Sequence, residues 1–347
     1  MPRRDRRDPR LGQPRAPLAR PRLNVREDTL LLDRRTIAEL MRREAWLDSA
    51  GIAFAALAAG RAQSPMPMAI DGVGGIFHAK AASLTLDRTW VALKLNGNFP
   101  DNRARGLPTI QGAILLCDGE DGRLLAILDS IEVTLRRTAA ATALAARYLA
   151  RADSETVLIC GCGAQAPIQL DVLRGVVPLG RGFCWDRDPA SAARFAAESG
   201  LAATADLAAA CAEADVIVTC TTASQPFLTN DMIPPGAFIA AVGADKPGKS
   251  EIAPDLMASA LVVCDVIDQC EAMGDLRNAI AAGRMVRTDV HGELAELVAG
   301  TKPGRTDAEQ ITLFDSTGTG VQDVAAAMTI YCRALDVDGA RAVNFAA

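Results

Sequence analysis

The sequence predicts an α/β fold in two parts, a doubly wound parallel sheet preceded by an α+β domain, and three observations carry it. First, the apolar run 157–160 ends in Gly161-Cys162-Gly163-Ala164-Gln165-Ala166 and enters a helical pattern carrying Ile168, Leu170, Val172 and Leu173. Second, near-continuous apolar runs at 215–219, 238–242 and 261–265 alternate with helical stretches. Strands covered by helices on both faces read in this way. Third, residues 66–129 read as successive strands joined by turn-forming residues.

The glycine corner suits a pyrophosphate. Its first glycine permits the strand-to-helix turn, its second lets the backbone approach the anion, and Ala166 lets helix and strand pack closely. The helix N-terminus then points free N–H groups at the ligand. A second apolar strand, 182–185, ends at Asp186, where an acid roughly 20 residues past the glycines grips a ribose hydroxyl. Together these features predict a Rossmann-type dinucleotide site.

In chain order, residues 1–28 are rich in Arg and Pro and contain no signal-like apolar core. They read as a disordered tail, with a basic docking arm as the alternative. Residues 30–61 turn helical, with Asp33 as N-cap and Ile37, Leu40 and Met41 on one face. Strands follow at 76–78, 90–95, 112–117 and 124–128, the last two joined by Asp118-Gly119-Glu120-Asp121-Gly122 as a hairpin. Lys94 alternates with Trp90 and Ala92, a position where a lysine is ordinarily solvated, and 96–109 reads as a loop. A long Ala-rich helix spans 131–150 with Arg136 and Arg137 in its first two turns, where a cation opposes the helix dipole. An anionic ligand would supply a reason for it.

Beyond the glycine corner, helices at 189–198 and 206–212 alternate with the strands, and Thr221, Thr222 and Asp245 fall at carboxyl ends of strands. Ligands of open α/β sheets bind there. For Asp245 the residues alone leave open a turn-forming role. The stretch 311–320 is a strand and glycine turn feeding a last helix with Val321, Val324, Ala325 and Met328 on one face.

The 347 residues suffice for two cores. A net charge of −5 argues against a general nucleic-acid binder, and no apolar run approaches membrane-spanning length. Nine cysteines without C-x-x-C spacing and only two histidines, His78 and His291, read as reduced thiols of a cytoplasmic protein with no metal site.

Five ordered motifs resemble the ornithine cyclodeaminase/μ-crystallin family over residues 30–335. They are Lys94 with Pro100-Asp101-Asn102 and Gly106-Leu107-Pro108-Thr109; Arg137-Thr138-Ala139-Ala140; Gly161-Cys162-Gly163-Ala164-Gln165; Val242-Gly243-Ala244-Asp245 with Pro247-Gly248-Lys249; and Phe314-Asp315-Ser316-Thr317-Gly318. That family includes alanine dehydrogenases of archaeal type and ketimine reductases. The resemblance implies a homodimer, a substrate-binding and dimerisation domain of residues 29–135 and 321–347, and an NAD-binding Rossmann domain of 136–320. It implies an amino or imino acid held by Lys94 and Arg137, with Thr317 beside it and Asp245 working at the reacting carbon. Nucleotide contacts fall by the same resemblance on Thr109, Gly161, Gly163, Ala164, Gln165, Asp186, Thr221, Val242, Lys249 and Ser316, and Arg187 adjoins them. Asp186 favours NAD, whereas Arg187 would accommodate the 2′-phosphate of NADP.

Two departures bear on the substrate. The stretch Ser64-Pro65-Met66-Pro67-Met68 lacks a cation that many family members carry there, and Phe77-His78-Ala79-Lys80-Ala81 has no glutamate to meet the side-chain amine of ornithine. We expect His78 and Lys80 to face the pocket. The substrate is then no diamine but an imino acid with a second carboxylate, as in iminosuccinate, or with an uncharged side chain. A redox-neutral cyclodeaminase and a non-catalytic NAD(P)H-binding protein are the alternatives, and Lys80 replacing the missing cation, or pointing to solvent, is the alternative for that residue.

Overall fold

The computed structural model describes residues 28–337 and 339–345. The Arg-rich segment 1–27, expected to be a tail, lies outside them. Two eight-stranded sheets organise the rest.

The first part of the chain runs β1 (Thr29–Leu32), α1 (Arg34–Leu40), α2 (Arg43–Ala58), β2 (Ala62–Gln63), β3 (Met68–Gly72), β4 (Gly75–Thr85), β5 (Thr89–Asn98), β6 (Ile110–Asp118) and β7 (Leu124–Asp129). The long helix α3 (Ser130–Leu149) follows. Asp33 caps α1 as expected, accepting from the Thr36 N–H. Residues 30–32, read as helical from the sequence, belong to a strand instead, because β1 gains partners on both sides, β7 in parallel and β16 (Arg341–Val343) in antiparallel. The loop expected over 96–109 is shorter, since β5 extends to Asn98 and residues 100–105 form a 3-10 turn.

The second part alternates β8 (Thr156–Cys160), α4 (Ala166–Leu173), β9 (Arg181–Trp185), α5 (Pro189–Ser199), β10 (Ala202–Ala203), α6 (Leu207–Glu213), β11 (Val216–Thr219) and β12 (Phe238–Ala241). It continues through α7 (Pro254–Ser259), β13 (Leu261–Cys264), α8 (Ile267–Met273), α9 (Asp275–Ala281), β14 (Gly292–Glu293), α10 (Leu294–Val298) and β15 (Thr312–Asp315) to α11 (Gly320–Leu335). Its sheet is parallel throughout in the order β10-β9-β8-β11-β12-β15-β13-β14. Strand order therefore reverses between β8 and β11, opening a crevice at their carboxyl ends.

The helix α11 returns to the first sheet and packs across β4 and β5. Register there sets the site. Leu84 lies opposite Trp90, Ala82 opposite Ala92, Lys80 opposite Lys94 and His78 opposite Asn96, all on one pleat face. Leu84, Trp90, Ala82 and Ala92 are buried, so the two lysines continue a buried face. No helix among the described residues is long and apolar enough to cross a membrane.

Candidate active site

At the glycine corner, Gly161 adopts φ +97°, and a Cβ there would lie 2.9 Å from the Cys220 carbonyl oxygen at the crevice. Gly163 is open, with nothing near the place of its absent Cβ, and α4 carries no side-chain cap. A cavity of about 320 Å³ lined by Gly163, Ala164, Arg103 and Arg194 adjoins this corner. Uncapped N–H groups, an unobstructed backbone and two arginines, with Glu198 as the one acid on the wall, fit a dinucleotide's pyrophosphate. Asp186, at the end of β9, accepts the Cys162 N–H at 2.8 Å and so also braces the corner itself. Arg187 is exposed beside it, Thr109 sits just before β6, and Gln165 stands at the head of α4.

The carboxyl ends of β11, β12 and β15 bring together Thr221, Val242, Asp245, Ser316 and Thr317. Several of their side chains are already engaged. Thr221 donates its N–H and hydroxyl to Glu251, and Ser316 and Thr317 donate their hydroxyls to the buried Asp265, which also accepts the Gly318 N–H. Lys249 spans the Asp245 turn, donating to Asp245 Oδ1 at 2.6 Å and to the Gly243 carbonyl. Burial works against the ionised Asp245, but Lys249 and Lys80 outweigh it and hold the carboxyl below the usual range.

Facing this edge is a cationic pocket built from three elements. Lys80 (β4), Lys94 (β5) and Arg137 (α3) converge, and Asp323 from the first turn of α11 pairs with Lys94 at 2.7 Å and with Arg137 at 3.0 Å. Gln322 accepts a further hydrogen bond from Arg137, and the Arg137 guanidinium packs where a Cβ on Gly318 would stand. Lys80 donates to the carbonyls of Thr317 and Gly318, tying the pocket to the β15 end. Burial, with Arg137 and Lys80 nearby, pushes the Lys94 ammonium down to about 7 against the pull of Asp323. Burial and Arg137 likewise lower Lys80. His78 is half-buried, lowered by burial and close enough to Asp245 to feel its charge.

The structure thus corrects the solvated reading of Lys94, which is 3 % exposed because α11 covers its strand face. Lys80 does not point to solvent. The cation at the start of α3 is explained in part by the protein's own Asp323 rather than by a ligand alone. Three residues escaped sequence reasoning: Asp323, Glu251 and Asp265, each fully buried. Asp323 left one signal, as an acid in a helix whose residues are otherwise almost all apolar or neutral.

The fold and this arrangement define a Rossmann-type α/β protein whose nucleotide crevice opens onto a buried cationic pocket. A model of the ornithine cyclodeaminase/mu-crystallin family matches residues 27–338, and the chain belongs to that family. It is 33 % identical over 321 residues to the alanine dehydrogenase of Archaeoglobus fulgidus, covering 92 % of this chain and 99 % of that one. An archaeal alanine dehydrogenase dimer with bound NAD superposes with a TM-score of 0.87, at 33 % identity, covering 92 % of this chain and 99 % of that one. The iminosuccinate reductase of Paracoccus denitrificans is 35 % identical over 314 residues, covering 87 % of this chain and 95 % of its own. Its NAD+ complex superposes with a TM-score of 0.84, at 33 % identity, covering 91 % and 99 %. The Thermococcus litoralis Δ1-pyrroline-2-carboxylate reductase, in complex with NADH and L-proline, superposes with a TM-score of 0.84 at 29 % identity, covering 89 % and 98 %.

Proposed function

We propose that the chain is an NAD-dependent imino-acid reductase, forming an amino acid by hydride addition at Cα, and that its preferred imine is dicarboxylic, such as iminosuccinate, giving aspartate. The observation that carries the substrate choice is the half-buried Lys80 directly opposite the buried Lys94, where a diamine substrate would need an acid. Two of the three Lys80 donors are taken by carbonyls, which leaves one N–H for a distal carboxylate. The relatives named for imine reduction and for NAD support the class.

The residues divide the work as follows. Lys94 and Arg137 grip the α-carboxylate, since charge-assisted donors from two sides fix both position and orientation. The corner Gly161, Gly163, Ala164 and Gln165 would receive the pyrophosphate, Asp186 the ribose, and Thr109, Thr221, Val242, Lys249 and Ser316 line the remaining nucleotide path. NADH, when bound, supplies the hydride. Asp245, kept ionised, attracts the cationic iminium; in the amine-oxidising direction it accepts the ammonium proton. His78 and Thr317 complete the pocket wall, the former beside Asp245. We take residues 29–135 with 321–347 as the substrate-binding domain and 136–320 as the nucleotide domain. Exposed Met68, Ile70, Leu93 and Leu95 share the other face of the first sheet and suit a homodimer contact.

The test is Lys80→Met, assayed by NADH consumption on oxaloacetate with ammonium, pyruvate with ammonium, and Δ1-pyrroline-2-carboxylate. In this variant kcat/KM on the dicarboxylic imine should fall at least tenfold relative to the monocarboxylic ones. Unchanged ratios would remove the dicarboxylate assignment.

A further inference from the structure

Glu251 has no role in the chemistry above, yet it is a fully buried carboxylate accepting four hydrogen bonds at the cleft edge. Thr221 donates its N–H (2.7 Å) and hydroxyl (2.6 Å) to Oε1, while the Thr219 hydroxyl (2.6 Å) and Gly243 N–H (2.8 Å) reach Oε2. The two oxygens therefore join two separate segments, the loop after β11 and the turn that carries Asp245. The contact with that turn is so close that a Cβ on Gly243 would stand 2.4 Å from the carboxylate. Gly243 has no positive φ, so its glycine is required by Glu251 and not by backbone conformation. From the opposite side Lys249 holds the Gly243 carbonyl.

We propose that Glu251 is a positioning residue whose carboxylate clamps the Thr221 loop to the Gly243–Asp245 turn, fixing the two segments that flank the nucleotide crevice. The proposal rests on the dinucleotide reading of that crevice. The ionised form alone accepts at full strength on both oxygens. Thr221 N–H and Gly243 N–H are obligate donors on different oxygens; a protonated carboxyl keeps only a weakened acceptor at its hydroxyl oxygen, and an amide has none at its nitrogen. The titratable groups facing Glu251 are Cys160 from the end of β8, Cys220 from the loop after β11, and Asp275 from the start of α9, with Asp315 behind Asp275. Burial, opposed by the Thr219 and Thr221 hydrogen bonds, pushes the Glu251 carboxyl up to about 7. The clamp consequently closes across neutral pH.

The test measures NADH affinity by protein-fluorescence quenching from pH 5.5 to 9 in the full chain, in Glu251→Gln and in Thr219→Val. Amide hydrogen exchange of the ligand-free proteins over residues 219–223 and 241–246 accompanies it. In the native chain the affinity should weaken as pH falls through about 7, by up to tenfold per pH unit. Glu251→Gln should bind at least tenfold more weakly with a flat profile and exchange faster in both segments. Thr219→Val removes one donor that favours the ionised form while preserving shape, and should move the midpoint to higher pH. Identical profiles and identical exchange in the native chain and Glu251→Gln, or an unmoved midpoint in Thr219→Val, would overturn the proposal. Absence of NADH binding in every protein would refute the dinucleotide reading instead, and the exchange rates would then decide the clamp alone.

Discussion

Asp323 stands between Lys94 and Arg137, Oδ2 2.7 Å from the Lys94 ammonium and Oδ1 3.0 Å from Arg137 Nε. One buried carboxylate thus fixes two buried cations, and with Lys80 the pocket holds three cations around it. Below about pH 7, where Lys94 is charged, the cations outnumber this carboxylate and favour an anionic substrate.

Removing this anchor should be costly in two ways. Asp323→Ala leaves Lys94 and Arg137 without their fixed partner, and breaking a buried pair in this manner costs about 3–5 kcal/mol. Chemical denaturation checks the stability loss. Steady-state kinetics should show a raised KM for the imino acid, because the two cations lose their orientation. A variant as stable as the native protein would show that the pairing is incidental.

The pH dependence of substrate capture follows from Lys94. Its ammonium, pushed down to about 7, is charged below that pH and neutral above it, and only the charged form grips a carboxylate. The kcat/KM for the imino acid should therefore decline as pH rises through 7, by at most about tenfold per pH unit. For stability the sign is opposite. Between pH 7 and 10.5 the unfolded chain holds the proton that the folded chain has lost, so this group makes stability rise with pH across that window. Lys94→Arg, which does not titrate, should flatten this limb of the pH–rate profile. A limb unaltered in that variant would assign it elsewhere.

Cofactor choice turns on Asp186. Its carboxylate accepts the N–H groups of Cys162 and Asp188, so it serves the corner's shape as well as any ribose. Asp186→Ser should weaken NADH binding by roughly tenfold or more, and with the acid gone the neighbouring Arg187 should improve NADPH relative to NADH. Titration of both nucleotides against the variant checks this, and an unchanged NADH/NADPH ratio would relieve Asp186 of that role.

Much of this was legible in the chain because the physics was local. Gly161 is dictated by backbone space, and the runs ending at Thr219, Ala241 and Cys264 declare themselves because strands covered on both faces tolerate little else. What escaped was set by distant partners. Thr29–Leu32 is too short to signal a strand and becomes one only by pairing with Leu124–Asp129 and Arg341–Val343. Lys94 alternates as a surface residue would, and its burial is decided by a helix at the other end of the chain. Glu251 follows a Pro-Gly-Lys turn and looks solvated until the parallel sheet folds the Thr219 and Gly243 donors around it. The short helices between Pro254 and Val298 show no clear apolar periodicity in the sequence.

The most direct test of imino-acid reduction supplies the purified chain with NADH, oxaloacetate and ¹⁵N-labelled ammonium, and counts both products. Labelled aspartate should form one for one with NADH consumed, since the hydride stays on Cα and the cofactor is not regenerated. No labelled aspartate and no net loss of NADH, with ornithine converted to proline in a parallel reaction with NAD+, would contradict it.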